Sequence, residues 1–211
     1  MMPASDWMLF IGAALLMVLT PGPNMVYLIS RTLCQGRGAG VVSLLGVIVG
    51  FLAHMFAAAA GLTALFIAVP FAYEVLRWAG AAYLLWLAWQ AVRPGARSVF
   101  EGRELAHDSR SRLFAIGFLT NVLNPKVAVF YLSILPQFVT TQHGSILGQS
   151  ILLGTTQIAV SFTVNLLIVL FAGALASWFR RKPIWLTTQR YVMGSVLGAL
   201  AMRMALEEKR A

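Results

Sequence analysis

Two short stretches place chemically useful residues where a helix cannot run straight. In Thr20-Pro21-Gly22-Pro23-Asn24 both prolines lack an N–H, Gly22 accepts unusual backbone angles, and Thr20 and Gly22 each precede a proline that disfavours their helical conformation. The helix around them must break or unwind. Leu123-Asn124-Pro125-Lys126 repeats the device more gently, because Pro125 frees a carbonyl one turn back and restricts Asn124. Both breaks lie inside apolar runs. Freed backbone groups are tolerated at membrane depth only where protein or a water-filled cavity satisfies them, so a cavity is expected at the breaks.

The polar side chains beside the breaks admit two uses each. The Asn24 and Asn124 amides are suited either to capping the restarted helix or to binding a substrate. Lys126 lies 14 residues beyond Arg112, roughly 21 Å along a helix and near the middle of a hydrocarbon core about 30 Å thick. An amine there either reaches outward or binds carbonyls freed by proline, or it serves an anion or a proton. His54, on a helix whose Gly46, Gly50 and Gly61 permit close packing, either hydrogen-bonds another helix or carries a proton. His54 and Lys126 are therefore the candidates for proton coupling. Gln157 and Asn165 are further polar positions in an apolar run.

The elements that position these residues follow from composition. Of 211 residues, 59% are hydrophobic and 11% charged, and mean hydropathy is +0.79. A soluble domain carries about 25% charged residues, so an integral membrane protein is indicated, and the net charge of +9 does not argue for nucleic acid. The lone Cys34 excludes an intrachain disulfide and a cysteine-rich metal site. The N-terminus has no basic residue before its apolar run and no small-x-small cleavage site, and reads as a retained first span.

Charged breaks leave six stretches long enough to cross a bilayer: Trp7 to Ser30, Ala39 to Val69, Phe71 to Val92, Leu113 to Phe138, Ile146 to Trp178 and Tyr191 to Leu206. The connections at 31–38, 93–112 and 179–190 hold eleven of the 16 basic residues, which the positive-inside rule places in the cytoplasm with both termini outside. The basic stretch 93–112 divides one transmembrane domain, 1–211, into halves 1–92 and 113–211. An offset of 104 lays VLTPGPNMVYL (18–28) over VLNPKVAVFYL (122–132) with five identities, and takes Gly50 to Gly154. Each half holds three spans, an odd number, so the halves must insert with opposite polarity. The fold expected is thus all-α, with six transmembrane helices in two inverted three-helix repeats and broken helices 1 and 4, the pattern of secondary transporters.

The stretches TPGPNMVYLISRTLCQGRGAG (20–40), GAAYLLWLAW (80–89), GFLTNVLNPKVAVFYLSILPQF (117–138) and QRYVMGSVLGALAMRMAL (189–206) are familiar in combination. On them the chain resembles the lysine exporter (LysE) superfamily and its threonine and homoserine exporter (RhtB) branch. It implies a multi-pass protein of the bacterial inner membrane that exports amino acids or their derivatives on the proton gradient. Pro21, Gly22, Pro23 and Asn24, with Asn124, Pro125 and Lys126, fall on its motif positions. Many members carry an acid where this chain has Phe51, whereas His54 matches the other common form. With no buried acid, the expected substrate is a neutral or zwitterionic amino-acid compound. The alternative is a metal or inorganic-ion transporter. That function calls for several carboxylates, His or Cys, where the spans supply one His. No catalytic motif suggests an enzyme and no cofactor is expected. The expected partners are the substrate and the lipid bilayer. The stripe Gly194-Ser195-Val196-Leu197-Gly198 reads as helix packing, with a homodimer contact as the lesser reading.

Overall fold

The computed structural model describes residues 3–20, 22–68 and 107–181, with single positions at Trp78, Ala81, Ala82, Leu85, Trp86, Trp89, Arg93, Tyr191, Ser195, Gly198, Ala199, Ala201 and Met202. The expected spans Phe71 to Val92 and Tyr191 to Leu206 therefore lie largely outside the described residues, as do Pro21 and most of the 93–112 connection. Among the described residues there are helices and no strands.

Helix α1 (Ala4–Leu19) stops where proline chemistry requires it. Thr20 is extended at φ −65° and ψ 123°, as a residue before proline prefers, and its N–H makes the last bond, to the Leu16 carbonyl. Helix α2 (Pro23–Gln35) restarts with Pro23 in its first turn, where a missing N–H costs nothing. It is bent 54° from α1. Gly36 at φ 85°, a left-handed angle open to glycine, ends α2 and admits α3 (Arg37–Ala68). Helix α4 (Arg110–Val122) begins under a Ser109 cap whose Oγ accepts the Arg112 N–H. After Leu123 and Asn124 the chain turns 47° into α5 (Pro125–Phe138). This helix is α-helical over Pro125–Val129, a π turn over Phe130–Ile134 and a 3-10 turn over Leu135–Phe138. Helix α6 (Ile146–Arg181) follows a short turn at Thr141–His143.

Arg37–Gly61 and Ile146–Ala174 are each long and apolar enough to cross a membrane, and so is each bent pair taken as one span. These four match the first, second, fourth and fifth expected spans. Apolar side chains cover the outside as well as filling the core. Leu45, Val49, Phe56, Leu152, Leu167 and Phe171 face outward, while Ser43, Asn121, Asn124, Gln157 and Ser161 are fully enclosed. Such a surface suits a hydrocarbon solvent.

Each half-helix that precedes a break packs on the long helix of the opposite half, α4 on α3 and α1 on α6. Small residues set the α3–α4 distance. A Cβ on Gly46 would run into the Phe114 carbonyl, one on Gly117 into the Ser43 carbonyl, and one on Gly50 would stand 2.6 Å from Asn121 Cβ. Gly154, the residue matched to Gly50 by the 104 offset, lies against Met55 of α3. Among the described residues nothing lies within 4 Å of a Cβ built on Gly61, so it takes no part in the α3–α4 contact that its spacing suggested. Phe10 of α1 packs on Phe130 and Phe138 of α5, with ring centroids 5.7 and 5.2 Å apart.

Candidate functional site

The two breaks meet through Lys126. In an unbroken helix the Met17 carbonyl would accept from residue 21, but that residue is proline, and the extended backbone at Thr20 leaves its carbonyl outside the helical ladder as well. Lys126 Nζ donates to both, at 2.9 Å to Met17 and 2.6 Å to Thr20. Each such bond contributes about 1.5–3 kcal/mol, so two together offset the roughly 2.5–3.5 kcal/mol that a lysine at the bilayer centre costs on insertion scales. Gly22 makes room, since a Cβ there would sit 3.0 Å from Nζ. Of the two uses open to Lys126, this conformation displays the binding of freed carbonyls, and these belong to the other half of the chain. An ammonium has three donors, and the two bonds described use two of them.

The second break is closed in the same crosswise manner. Pro125 deprives the Asn121 carbonyl of its helical donor, and that oxygen accepts from the Asn124 N–H at 3.0 Å and from His54 Nε2 at 3.3 Å. The bond requires a proton on Nε2. Met17 and Asn121 are related by the 104 offset, so equivalent freed carbonyls are each capped by a basic side chain of the opposite half. His54 thus makes the interhelical bond foreseen as one of its two uses.

The asparagines divide. Asn124 caps α5, its Oδ1 accepting the Lys126 N–H at 3.0 Å. Asn24 does not cap α2, because Gly22 occupies that position. Its Oδ1 is buried without a hydrogen-bond partner among the described residues, and so are Asn124 Nδ2 and both amide atoms of Asn121. Asn121 is the residue that reading the sequence for proline and charge missed. The signal available was an amide one turn before Pro125, at the position matched to apolar Met17.

A chain of polar groups leads away from His54. Its ring stacks on Tyr131 at 5.8 Å between centroids. Tyr131 donates to Gln157 Oε1 at 2.6 Å, Gln157 Nε2 to Ser161 Oγ at 2.7 Å, and Asn165 Nδ2 to the Ser161 carbonyl at 2.8 Å. Gln157 and Asn165 were legible as polar positions; Tyr131 and Ser161 enter only with the fold. Tyr131 lies in the π turn of α5, a form of helix that frequently accompanies functional sites.

At the far end of α2 a second polar cluster ties α2 to α4. Asp108 pairs with Arg31 at 2.6 Å and with Arg112 at 3.1 Å, and its backbone exchanges two hydrogen bonds with the Gln35 amide. Tyr27 adds a bond to the Leu113 carbonyl at 2.6 Å and accepts one from Ser43. Arg31 and Arg112, which charge counting assigned to one membrane face, are thus brought together at one end of the structure.

Apolar helices, two broken pairs, and basic side chains that close each break from the opposite half define a polytopic membrane protein with a polar centre. The chain belongs to the family of LysE type translocators, whose family model matches residues 15–208. It is 33% identical over 175 residues to a homoserine/homoserine lactone efflux protein of Salmonella typhimurium, covering 82% of this chain and 84% of the relative. It is 30% identical over 172 residues to a leucine efflux protein of Enterobacter sp., covering 80% and 79%. An uncharacterized membrane protein of Vibrio cholerae is 28% identical over 202 residues, covering 94% and 96%. No solved structure matches.

Proposed function

We propose that the protein exports small neutral or zwitterionic amino-acid compounds, of the threonine or homoserine type, across the bacterial inner membrane. The observation that carries this reading is the bridge from Lys126 to the Met17 and Thr20 carbonyls. An α-amino acid brings the two groups that can exchange with it. The substrate carboxylate takes the third Lys126 proton and draws the amine off the carbonyls, while the substrate ammonium takes its place on Met17 and Thr20. A lactone carbonyl serves Lys126 in the same way, as an oxygen acceptor. The names of the Salmonella and Enterobacter relatives support an amino-acid substrate.

The matched breaks and the crosswise packing of α1 on α6 and α4 on α3 support an inverted repeat, in which one half rocks against the other around the site. Proton coupling is assigned to His54 and Lys126, because they are the titratable side chains that hold the two breaks, and each can exchange a proton with water once it leaves its carbonyl. No observation favours the metal or inorganic-ion alternative. Among the described residues no three side chains of His, Cys, Asp and Glu converge.

The test is release of amino acids from cells loaded with dipeptides. Wild type is expected to release threonine and homoserine faster than a deletion strain, and Lys126→Ala to resemble the deletion. Collapse of the proton gradient is expected to slow net release. Equal rates in wild type, deletion and Lys126→Ala sink the proposal.

A further inference from the structure

Buried amides without partners are costly, so one that stands open inside a helix contact calls for an explanation. Asn121 is fully buried on the face of α4 that meets α3, against Gly50. Both its Nδ2 and its Oδ1 lack a partner among the described residues. The other orphaned atoms are of one kind each: Asn24 offers an acceptor and Asn124 a donor. Asn121 alone among these three presents an open donor and an open acceptor on one rigid group. It stands beside the second break, with its own carbonyl held by His54 and the Asn124 N–H.

A carboxylate accepts only and an ammonium donates only, so neither end of an amino acid satisfies such a pair. A neutral hydroxyl does both. We propose that Asn121 is a specificity residue that binds a hydroxyl on the substrate's side chain, making hydroxyl-bearing amino acids preferred over aliphatic ones of equal size. The inference rests on the amino-acid export reading and adds to it the residue that selects for a side-chain hydroxyl. A site built to hydrogen-bond a substrate hydroxyl rejects the analogue lacking it, because its own buried groups are then left unpaired.

The experiment uses the full chain in proteoliposomes and the isosteric pair L-homoserine and L-norvaline, in which a hydroxyl replaces a methyl. Wild type is expected to exchange homoserine at least about 10-fold more efficiently than norvaline. Asn121→Leu and Asn121→Ala are expected to bring the two within about threefold, and Asn121→Ser, which keeps a hydroxyl, to restore part of the preference. A purely structural residue would lower both rates together and leave their ratio unchanged. An unchanged ratio in folded variants overturns the proposal, and so does a wild type that treats the two compounds alike, whatever the variants do. A wild type that exchanges no amino acid contradicts the export reading itself, a separate failure.

Discussion

Lys126 holds two carbonyls whose own helix has no proton to give them, and the small size of Gly22 is what lets it reach them. Gly22 is extended at φ −170°, an angle any residue adopts, so its value lies in contact distance rather than backbone freedom. Gly22→Ala is therefore expected to press on Nζ, at a cost of roughly 1 kcal/mol, and to lower export several-fold with normal membrane insertion. Lys126→Met removes the donor outright and should lower export by at least about 10-fold, the worth of one charged hydrogen bond. Both are measured as initial release from dipeptide-loaded cells at matched protein levels. The sequence singled out Lys126 because a cation deep in an apolar run demands a partner. It did not name the partners, which lie 109 and 106 residues away in the chain. Asn121 escaped for a similar reason: an amide in an apolar run declares its cost only once its neighbours are known.

Among the elements, both breaks were legible because proline acts locally, removing an N–H and restricting the residue before it. The cap on α5 was equally local. The partnership of α3 with α4 was not, although the glycines that permit it were visible as spacing. Gly46→Val is expected to destabilise the protein by about 1–3 kcal/mol or more, since its Cβ meets backbone that cannot rotate away. A lower thermal midpoint in detergent would register the loss, and an unchanged one would contradict the close approach. Asp108 holds two arginines at the ends of α2 and α4 while its side chain is only 7% exposed. Asp108→Ala leaves the nearly buried Arg31 without its carboxylate and is expected to cost about 3 kcal/mol, read in the same melting experiment. Asp108→Glu should recover part of it.

Across the whole molecule, the distribution of charge and the repeat state one design. The sequence reading assigns eleven basic residues to the stretches 31–38, 93–112 and 179–190, and the structure brings Arg31 and Arg112 of that set onto one carboxylate. A reporter fused after Ala211 is expected on the outer face, and one inserted within 94–106 in the cytoplasm; the reverse result overturns the orientation. The five identities of the repeat pointed to paired breaks, but the crosswise closure of Met17 by Lys126 and of Asn121 by His54 is a property of the folded halves together. That closure is the centre of the account. The most direct test is counterflow in proteoliposomes loaded with unlabelled L-homoserine, comparing uptake of the labelled compound by wild type and Lys126→Ala. Wild type is expected to exchange it and Lys126→Ala to fall to the level of empty vesicles, whereas exchange by the variant at the wild-type rate would contradict a substrate site at Lys126.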